Sequence, residues 1–369
     1  MTLTRTARIL GLATALVVAA AGTATADVDS ADQLPDDVVT AERYAGENRY
    51  ETAARTALQS YADGAPTAIV ARGDEFPDGL AASFLAGVEN APILLTKTNE
   101  LPLETQDAMA SGALGTQRAV IVGGRAAIGQ AVEDRLKEIL GDGNVTRVSG
   151  NDRFETAAFV ANEEEAGTLE AVDGSGGQLT TAIVASGRNF PDALAAGPLA
   201  HAAGVPILLT EQDTLPGITR IAIESGVQQV IVAGGPVAVS DDVVDEIEGL
   251  DGVEVVQRVS GGDRTATAAA FAELTRDQLG WAAEGAALSL GTDFPDALSL
   301  APAASRLEVP ILLTRSTSDV GAATFAALQD DCDTLATLVV AGGPVAVDAQ
   351  AELQAELATS CAEHQFLLD

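Results

Sequence analysis

The sequence predicts an α/β protein made of three tandem modules, each built on a short parallel sheet, in a pseudo-threefold arrangement. One observation is a repeated phrase. Phe76-Pro77-Asp78, Phe190-Pro191-Asp192 and Phe294-Pro295-Asp296 each stand seventeen residues before an Ile-Leu-Leu-Thr stretch, at Ile93, Ile207 and Ile311. A fixed internal spacing repeated three times means three copies of one folded unit. A second observation is the alternation of short, fully apolar runs with alanine-rich or amphipathic stretches, the pattern of buried parallel strands joined by helices. The third is the near absence of linkers. The copies open at Arg43, Arg147 and Arg258, 104 and 111 residues apart, a normal domain size. Equal units with short connections must pack on one another, and closure about a threefold axis is the arrangement this favours.

Each copy opens with an arginine-flanked turn: Arg43–Arg49, Arg147–Arg153 and Arg258–Arg264. Asn48, Asp152 or Asp263 is placed to cap the helix that follows, over Glu51–Leu58, Glu155–Asn162 and Ala266–Leu274. The runs Thr67–Ala71, Thr181–Ala185 and Ala287–Leu290 then read as strands buried on both faces. The Phe-Pro-Asp phrase starts a second helix, with proline at a first-turn position and a carboxylate complementing the helix dipole. Pro198 and Pro302 are expected to kink or split that helix. Pro-Ile-Leu-Leu-Thr is a second buried strand. After a third helix, a third strand ends in a glycine pair over Ala119–Gly124, Val230–Gly235 and Leu338–Gly343, and an amphipathic helix such as Val132–Leu140 or Val243–Leu250 closes the unit. The modules are placed at 41–142, 143–254 and 255–369, and the Gly-rich Asp173–Gly177 insertion is read as a loop peculiar to the second copy.

Residues 1–26 read as a secretion signal: Arg5 and Arg8, an apolar stretch over Ile9–Ala21, and an Ala24-Thr25-Ala26 cleavage site, with 27–40 as a linker. The expectation is a secreted protein of the cell wall or cell surface, without a membrane span or covalent anchor. Removing Arg5 and Arg8 takes the formal charge from −34 to −36. Bulk repulsion at that charge argues against nucleic acid and anionic membranes. Acidic surfaces also serve as solvating devices. Cys332 and Cys361 are expected to form a disulfide that pins the C-terminal segment to the third module. His201 and His364 lie far from ligand-like spacing, and the counterparts of His201 are Gly87 and Ser305, so neither zinc nor a histidine-based catalytic site shared by the copies fits. No dinucleotide fingerprint or P-loop occurs. No cofactor and no enzymatic activity are expected.

These ordered motifs resemble the bacterial cell wall-binding repeat 2 family. They are Arg-x-x-Gly-x-Asp-Arg-Tyr-x-Thr-Ala, Phe-Pro-Asp-Ala-Leu-Ala-Ala, Pro-Ile-Leu-Leu-Thr and Gly-Gly-Pro-x-Ala-Val, over residues 41–358 in three copies. The resemblance implies Toprim-like, Rossmann-like modules assembled as an intramolecular trimer, and non-covalent attachment to a wall-linked, often anionic, secondary glycopolymer. It also implies an anchoring role for Ile93-Leu94-Leu95, Ile207-Leu208-Leu209 and Ile311-Leu312-Leu313. A surface-layer or adhesion scaffold is the alternative, and a Toprim-type enzyme a more distant one, since no copy supplies the Glu and Asp-x-Asp that magnesium would need. The copies depart from the pattern unequally. Asn48 replaces Asp, Arg125 stands where the others have Pro236 and Pro344, and Thr265-Ala266 replaces the aromatic-Glu pair. The third copy is therefore expected to be weakened or mainly structural.

Ligands of parallel sheets gather beyond the carboxyl ends of the strands. That places Asp78, Asp192, Asp296 and the glycine pairs Gly123-Gly124, Gly234-Gly235 and Gly342-Gly343 at a candidate site, with Arg49, Arg153 and Arg264 as the forks for polymer phosphates or carboxylates. Each arginine can equally pair with a Phe-Pro-Asp carboxylate of its own or the next module, and the glycines can simply permit tight turns. For Ile-Leu-Leu the core reading is the stronger of the two. The acids Asp74 with Asp78 and Asp293 with Asp296 suggest a metal, but Asn189 breaks the pattern in the second copy. No dedicated metal site is assigned.

Overall fold

A computed structural model describes residues 38–361. The signal segment 1–26, most of the linker and His364 lie outside the described residues. Thirteen strands are found among them. They are β1 (Glu42–Tyr44), β2 (Thr67–Arg72), β3 (Ile93–Thr96), β4 (Arg118–Val122), β5 (Val145–Val148), β6 (Thr168–Glu170), β7 (Gln178–Ser186), β8 (Ile207–Thr210), β9 (Gln229–Ala233), β10 (Val255–Val259), β11 (Gly285–Leu290), β12 (Ile311–Thr314) and β13 (Thr337–Ala341). They form three sheets, ordered β3-β2-β4-β5, β8-β7-β9-β10 and β12-β11-β13-β1, and every pairing in those orders is parallel. The fold is therefore mixed α/β on short parallel sheets.

The fourth strand of each sheet comes from the opening segment of another copy. β5 opens the second copy and lies on the sheet of the first; β10 opens the third and lies on the sheet of the second. β1 opens the first copy and lies on β13 of the third, which closes the circle. Read as a turn in the sequence, each opening segment is a strand followed by a turn. An arginine fastens each exchange. Arg147, Arg258 and Arg43 donate from Nη1 to the carbonyls of Gly123, Gly234 and Gly342 at 2.6, 2.8 and 2.6 Å. The same residues pair with Glu133, Asp241 and Glu352.

The helices that follow the Phe-Pro-Asp phrases pack together at the centre: α2 (Pro77–Val88), α6 and α7 (Pro191–Leu194 and Gly197–Ala203) and α11 (Pro295–Arg306), numbered in chain order with α1 (Arg49–Ser60), α3 (Leu103–Ala110), α4 (Gln130–Leu140) and α5 (Arg153–Ala161). They are buried nearly all round, as their Ala- and Leu-rich composition requires. At one end Phe76, Phe190 and Phe294 form a triangle with ring centroids 5.5, 5.7 and 6.0 Å apart. At the other end the matching positions Gly87, His201 and Ser305 meet. His201 Nδ1 lies 2.8 Å from Ser305 Oγ, and a Cβ at Gly87 would overlap the carbonyl oxygen of His201.

The prolines in these helices act differently. In the second copy the helix breaks ahead of Pro198, but in the third Pro302 sits inside an unbroken helix. Pro198 follows Gly197, whose backbone freedom adds to the missing donor, whereas Pro302 follows Ala301, the best helix former. The second-copy insertion is also more than a loop, since β6 pairs antiparallel with the first residues of β7 to make a hairpin. Cys332 and Cys361 are joined as a disulfide.

Side-chain alternation in the Ile-Leu-Leu strands couples each copy to the centre. Ile93 and Leu95, Ile207 and Leu209, and Ile311 and Leu313 enter one core shared by all copies. Leu94, Leu208 and Leu312 point the other way, each into the separate core of its own copy. All nine are at most 1% exposed.

Candidate inter-copy grooves

Strand exchange brings the sequence-predicted site residues together between copies rather than within one. The groove joining the first and second copies is lined by Arg72, Asp78, Gly124, Gly150, Asp152 and Arg153, and encloses about 330 Å³. Its counterpart joining the third and first copies is lined by Asp296, Gly343, Val345, Asn48 and Arg49 among others, and encloses about 460 Å³. The corresponding residues meet between the second and third copies, where Asp192 sits beside Thr267 and Arg264.

Beneath the Phe-Pro-Asp carboxylate of each groove lies a glycine in the left-handed region. Gly123, Gly234 and Gly342 have φ of +120°, +101° and +100°, and a Cβ at any of them would collide with Oδ2 of Asp78, Asp192 or Asp296. Their N–H groups donate to Val148, Val259 and Tyr44 of the incoming strand at 2.9 Å. Each first glycine is thus committed on three sides, and the turn requires it. The second glycines are different. Gly124 and Gly343 would keep ordinary clearance with a Cβ, and Gly235 would meet nothing. Gly124 and Gly343 present bare backbone to the grooves.

The incoming turn is set by local chemistry. Asn48, Asp152 and Asp263 cap α1, α5 and α10 (Arg264–Leu279) through their side-chain oxygens. Arg49 and Arg153 then donate from Nη1 to the carbonyls of Gly73 and Gly187 at 2.7 and 2.6 Å, and Arg264 does the same to Gly291. These carbonyls belong to the arginine's own copy, while the guanidinium faces acids of another. Arg49 Nη2 lies 3.5 Å from Asp293, and its guanidinium sits 5.9 Å from the Phe294 ring centroid. Each arginine therefore ties a turn to its own sheet and keeps part of its fork toward the groove.

Sequence reasoning missed two sets of residues here. Thr52, Thr156 and Thr267, each three residues after the groove arginine, accept the turn N–H of Gly46, Gly150 and Gly261 at 3.1, 3.0 and 3.0 Å. Two of them, Thr52 and Thr267, also sit beside the Phe-Pro-Asp carboxylate opposite and favour its charged form. The recurring Arg-x-x-Thr was the available signal. Arg43, Arg147 and Arg258 were seen as markers of each copy, but their clamping role needs the exchanged strand. The acids read as a possible metal set do not converge. Among the described residues, three metal-type donors gather within 4.8 Å only at Cys332, Asp333 and Cys361, where both sulfurs are bonded to each other.

Burial pushes Asp78 and Asp296 up to about 6, with Arg153 opposing the shift at Asp78 and the Asp293 carboxylate adding to it at Asp296. Asp192 is also raised by burial, against the Thr267 hydrogen bond and Arg264. A carboxyl raised in the folded state contributes stability fully below its unfolded value near 3.8, and that contribution is lost as pH rises through about 6. Asp78→Asn/Asp296→Asn is therefore expected to stabilise the chain at pH 7.5, by roughly 1–2 kcal/mol per site after allowance for partial exposure. The gain should shrink as pH falls through about 6 and be gone by about pH 3, below the unfolded value. Thermal melts of both proteins at pH 7.5 and pH 3 check this, and a gain independent of pH would contradict it.

A family model described as cell wall binding domain 2 (CWB2) matches residues 43–133, 147–244 and 258–352, most of the chain. The chain belongs to this family. Each CWB2 match begins at the clamping arginine of a copy and takes in its groove residues. The chain is 34% identical over 291 residues to the amidase enhancer of Bacillus subtilis (strain 168), covering 78% of this chain and 36% of that protein. It is 28% identical over 273 residues to the N-acetylmuramoyl-L-alanine amidase LytC of the same organism, covering 74% and 50%. It thus spans half or less of these two relatives. Among solved structures, Cwp8 from Clostridium difficile superposes with a TM-score of 0.73 at 27% identity, over 87% of this chain and 52% of that one. Cwp6 from the same organism gives 0.75 at 24% identity over 92% and 51%, a likeness of fold alone.

Proposed function

We propose that the chain is a secreted, non-catalytic cell-wall-binding protein that holds an anionic, wall-linked secondary glycopolymer in the grooves between its copies. Cell wall binding follows from the family. The groove assignment rests on one observation: a half-exposed arginine fork, a bare glycine backbone and a buried aspartate are brought together only where one copy completes another. Guanidinium forks and backbone N–H groups are the donors that phosphate and carboxylate recognition uses. In this reading the copies are Toprim-like modules about a pseudo-threefold axis, and residues 1–26 direct export. A binding role without catalysis also fits the described histidine. His201 is buried against Ser305 and Tyr61, and burial pushes it down to about 4, which leaves it neutral and closed to substrate.

An acidic protein can bind an anionic polymer because repulsion between exposed charges is screened beyond about 10 Å at 0.1 M salt, whereas a guanidinium–anion contact acts at hydrogen-bond range. Arg49→Ala/Arg153→Ala is expected to lower retention on purified cell walls at least tenfold, with circular dichroism confirming the fold. Wild-type retention by the folded double variant would sink the groove assignment.

A further inference from the structure

The grooves are chemically unequal. The one between the first and second copies is lined by Arg72 and Arg153 with Glu75, Asp78 and Asp152, and Arg125 stands in sequence between its lining residues Gly124 and Ala126. Around the one between the third and first, Arg49 alone stands with Glu47, Asp293 and Asp296. Between the second and third, Arg188 is committed to Glu211 through two bonds of 2.8 and 2.6 Å. The positions equivalent to Arg72 are Ser186 and Leu290, and those equivalent to Arg125 are Pro236 and Pro344, so the extra cations belong to one groove only.

Both extra arginines keep donors in reserve. Arg72 lines the groove and its side chain is 22% exposed; its Nε is buried without a hydrogen-bond partner, and its Nη1 lies 3.4 Å from Glu75. A buried guanidinium N–H left unmade is costly, so Arg72 gains from any acceptor that a shift of its side chain toward the groove brings within reach. Arg125 stands between the lining residues Gly124 and Ala126 with its side chain 64% exposed. Its nearest carboxylate, Glu133, is 3.9 Å away and already held by Lys137 at 2.6 Å and Arg147 at 3.0 Å. The acids are less free. Asp152 accepts the N–H of Glu155 as a helix cap, and Asp78 is packed over Gly123.

We propose that the groove between the first and second copies is the principal anion site of the chain, taking an oligosaccharide segment with repeated negative charge between Arg72 and Arg153, with Arg125 at its rim. This rests on the reading that the grooves bind wall polymer, and it adds that the three do not share the work. The arginine that breaks the Gly-Gly-Pro pattern becomes a specificity residue, and the weakest groove is the one that uses Arg49.

Calorimetric titration of the full chain with two probes tests it: a glycerol phosphate oligomer and a galacturonate oligomer. Either probe binding supports an oxyanion site and identifies the anion as phosphodiester or carboxylate; binding of neither overturns it. Arg72→Ser/Arg125→Pro, which installs residues the second copy carries, is expected to weaken the bound probe at least tenfold, as loss of two charge-assisted contacts requires. Arg72→Gln/Arg125→Gln gives the same reading if the proline variant fails to fold. Arg49→Ala should change affinity by no more than about twofold, given its surrounding acids. Equal losses for Arg49→Ala and the double variant, or wild-type affinity in the glutamine variant, would overturn the ranking. Failure here alongside wall release by Arg49→Ala/Arg153→Ala leaves the groove reading standing, whereas wall retention by that variant removes both.

Discussion

Replacing Leu95 by alanine is expected to destabilise the chain by about 2–5 kcal/mol, and wall retention should fall only as far as folding does. Leu95 is fully buried in the core that all copies share, on the edge strand β3, which pairs with β2 and is packed on both faces. Truncation removes its transfer energy and leaves a cavity that rigid neighbouring strands cannot close. The same residue belongs to the phrase for which family resemblance implies anchoring, so this substitution separates the two roles. Thermal melting and wall sedimentation on the same preparation give the answer. A variant that melts like the wild type yet no longer binds walls would show that Ile-Leu-Leu meets the polymer directly.

Gly87→Ala is expected to cost about 3 kcal/mol although it adds a single methyl group to a helix. Alanine is ordinarily the better helix former by up to about 1 kcal/mol, so the sign itself is diagnostic. A Cβ at Gly87 would overlap the backbone of His201, and backbone cannot rotate away as a side chain can. The central helices would have to separate where His201 bonds to Ser305 and Tyr61. Chemical denaturation should register the loss, and a stabilised Gly87→Ala protein would mean that the helices are not held this close.

What could be read from the sequence was what local chemistry dictates. The two-sided apolar strands, the alternation with helices, and the caps at Asn48, Asp152 and Asp263 all follow from patterns within a few residues of one another. The exchanged strands did not. β1 is three residues long and carries Glu42 and Arg43, and nothing in that segment names β13, almost 300 residues away, as its partner. Without that exchange, Arg43, Arg147 and Arg258 had no visible task. The candidate site was legible in its residue types and its place beyond the strand ends. Its composition was not: Asp78 shares a groove with the arginine of the second copy, Arg153, and not with Arg49 of its own. For the same reason, departures counted copy by copy mislead. Thr265-Ala266 of the third copy falls on the groove floored by the second, and the groove floored by the third receives Asn48 and Arg49 from the first.

The most direct measurement is sedimentation of the purified chain with cell walls before and after chemical removal of phosphate-linked polymers. Retention on native walls and its loss from stripped walls is the predicted result. Equal retention on both would place the ligand in peptidoglycan itself and contradict the assignment of an anionic secondary polymer to the grooves.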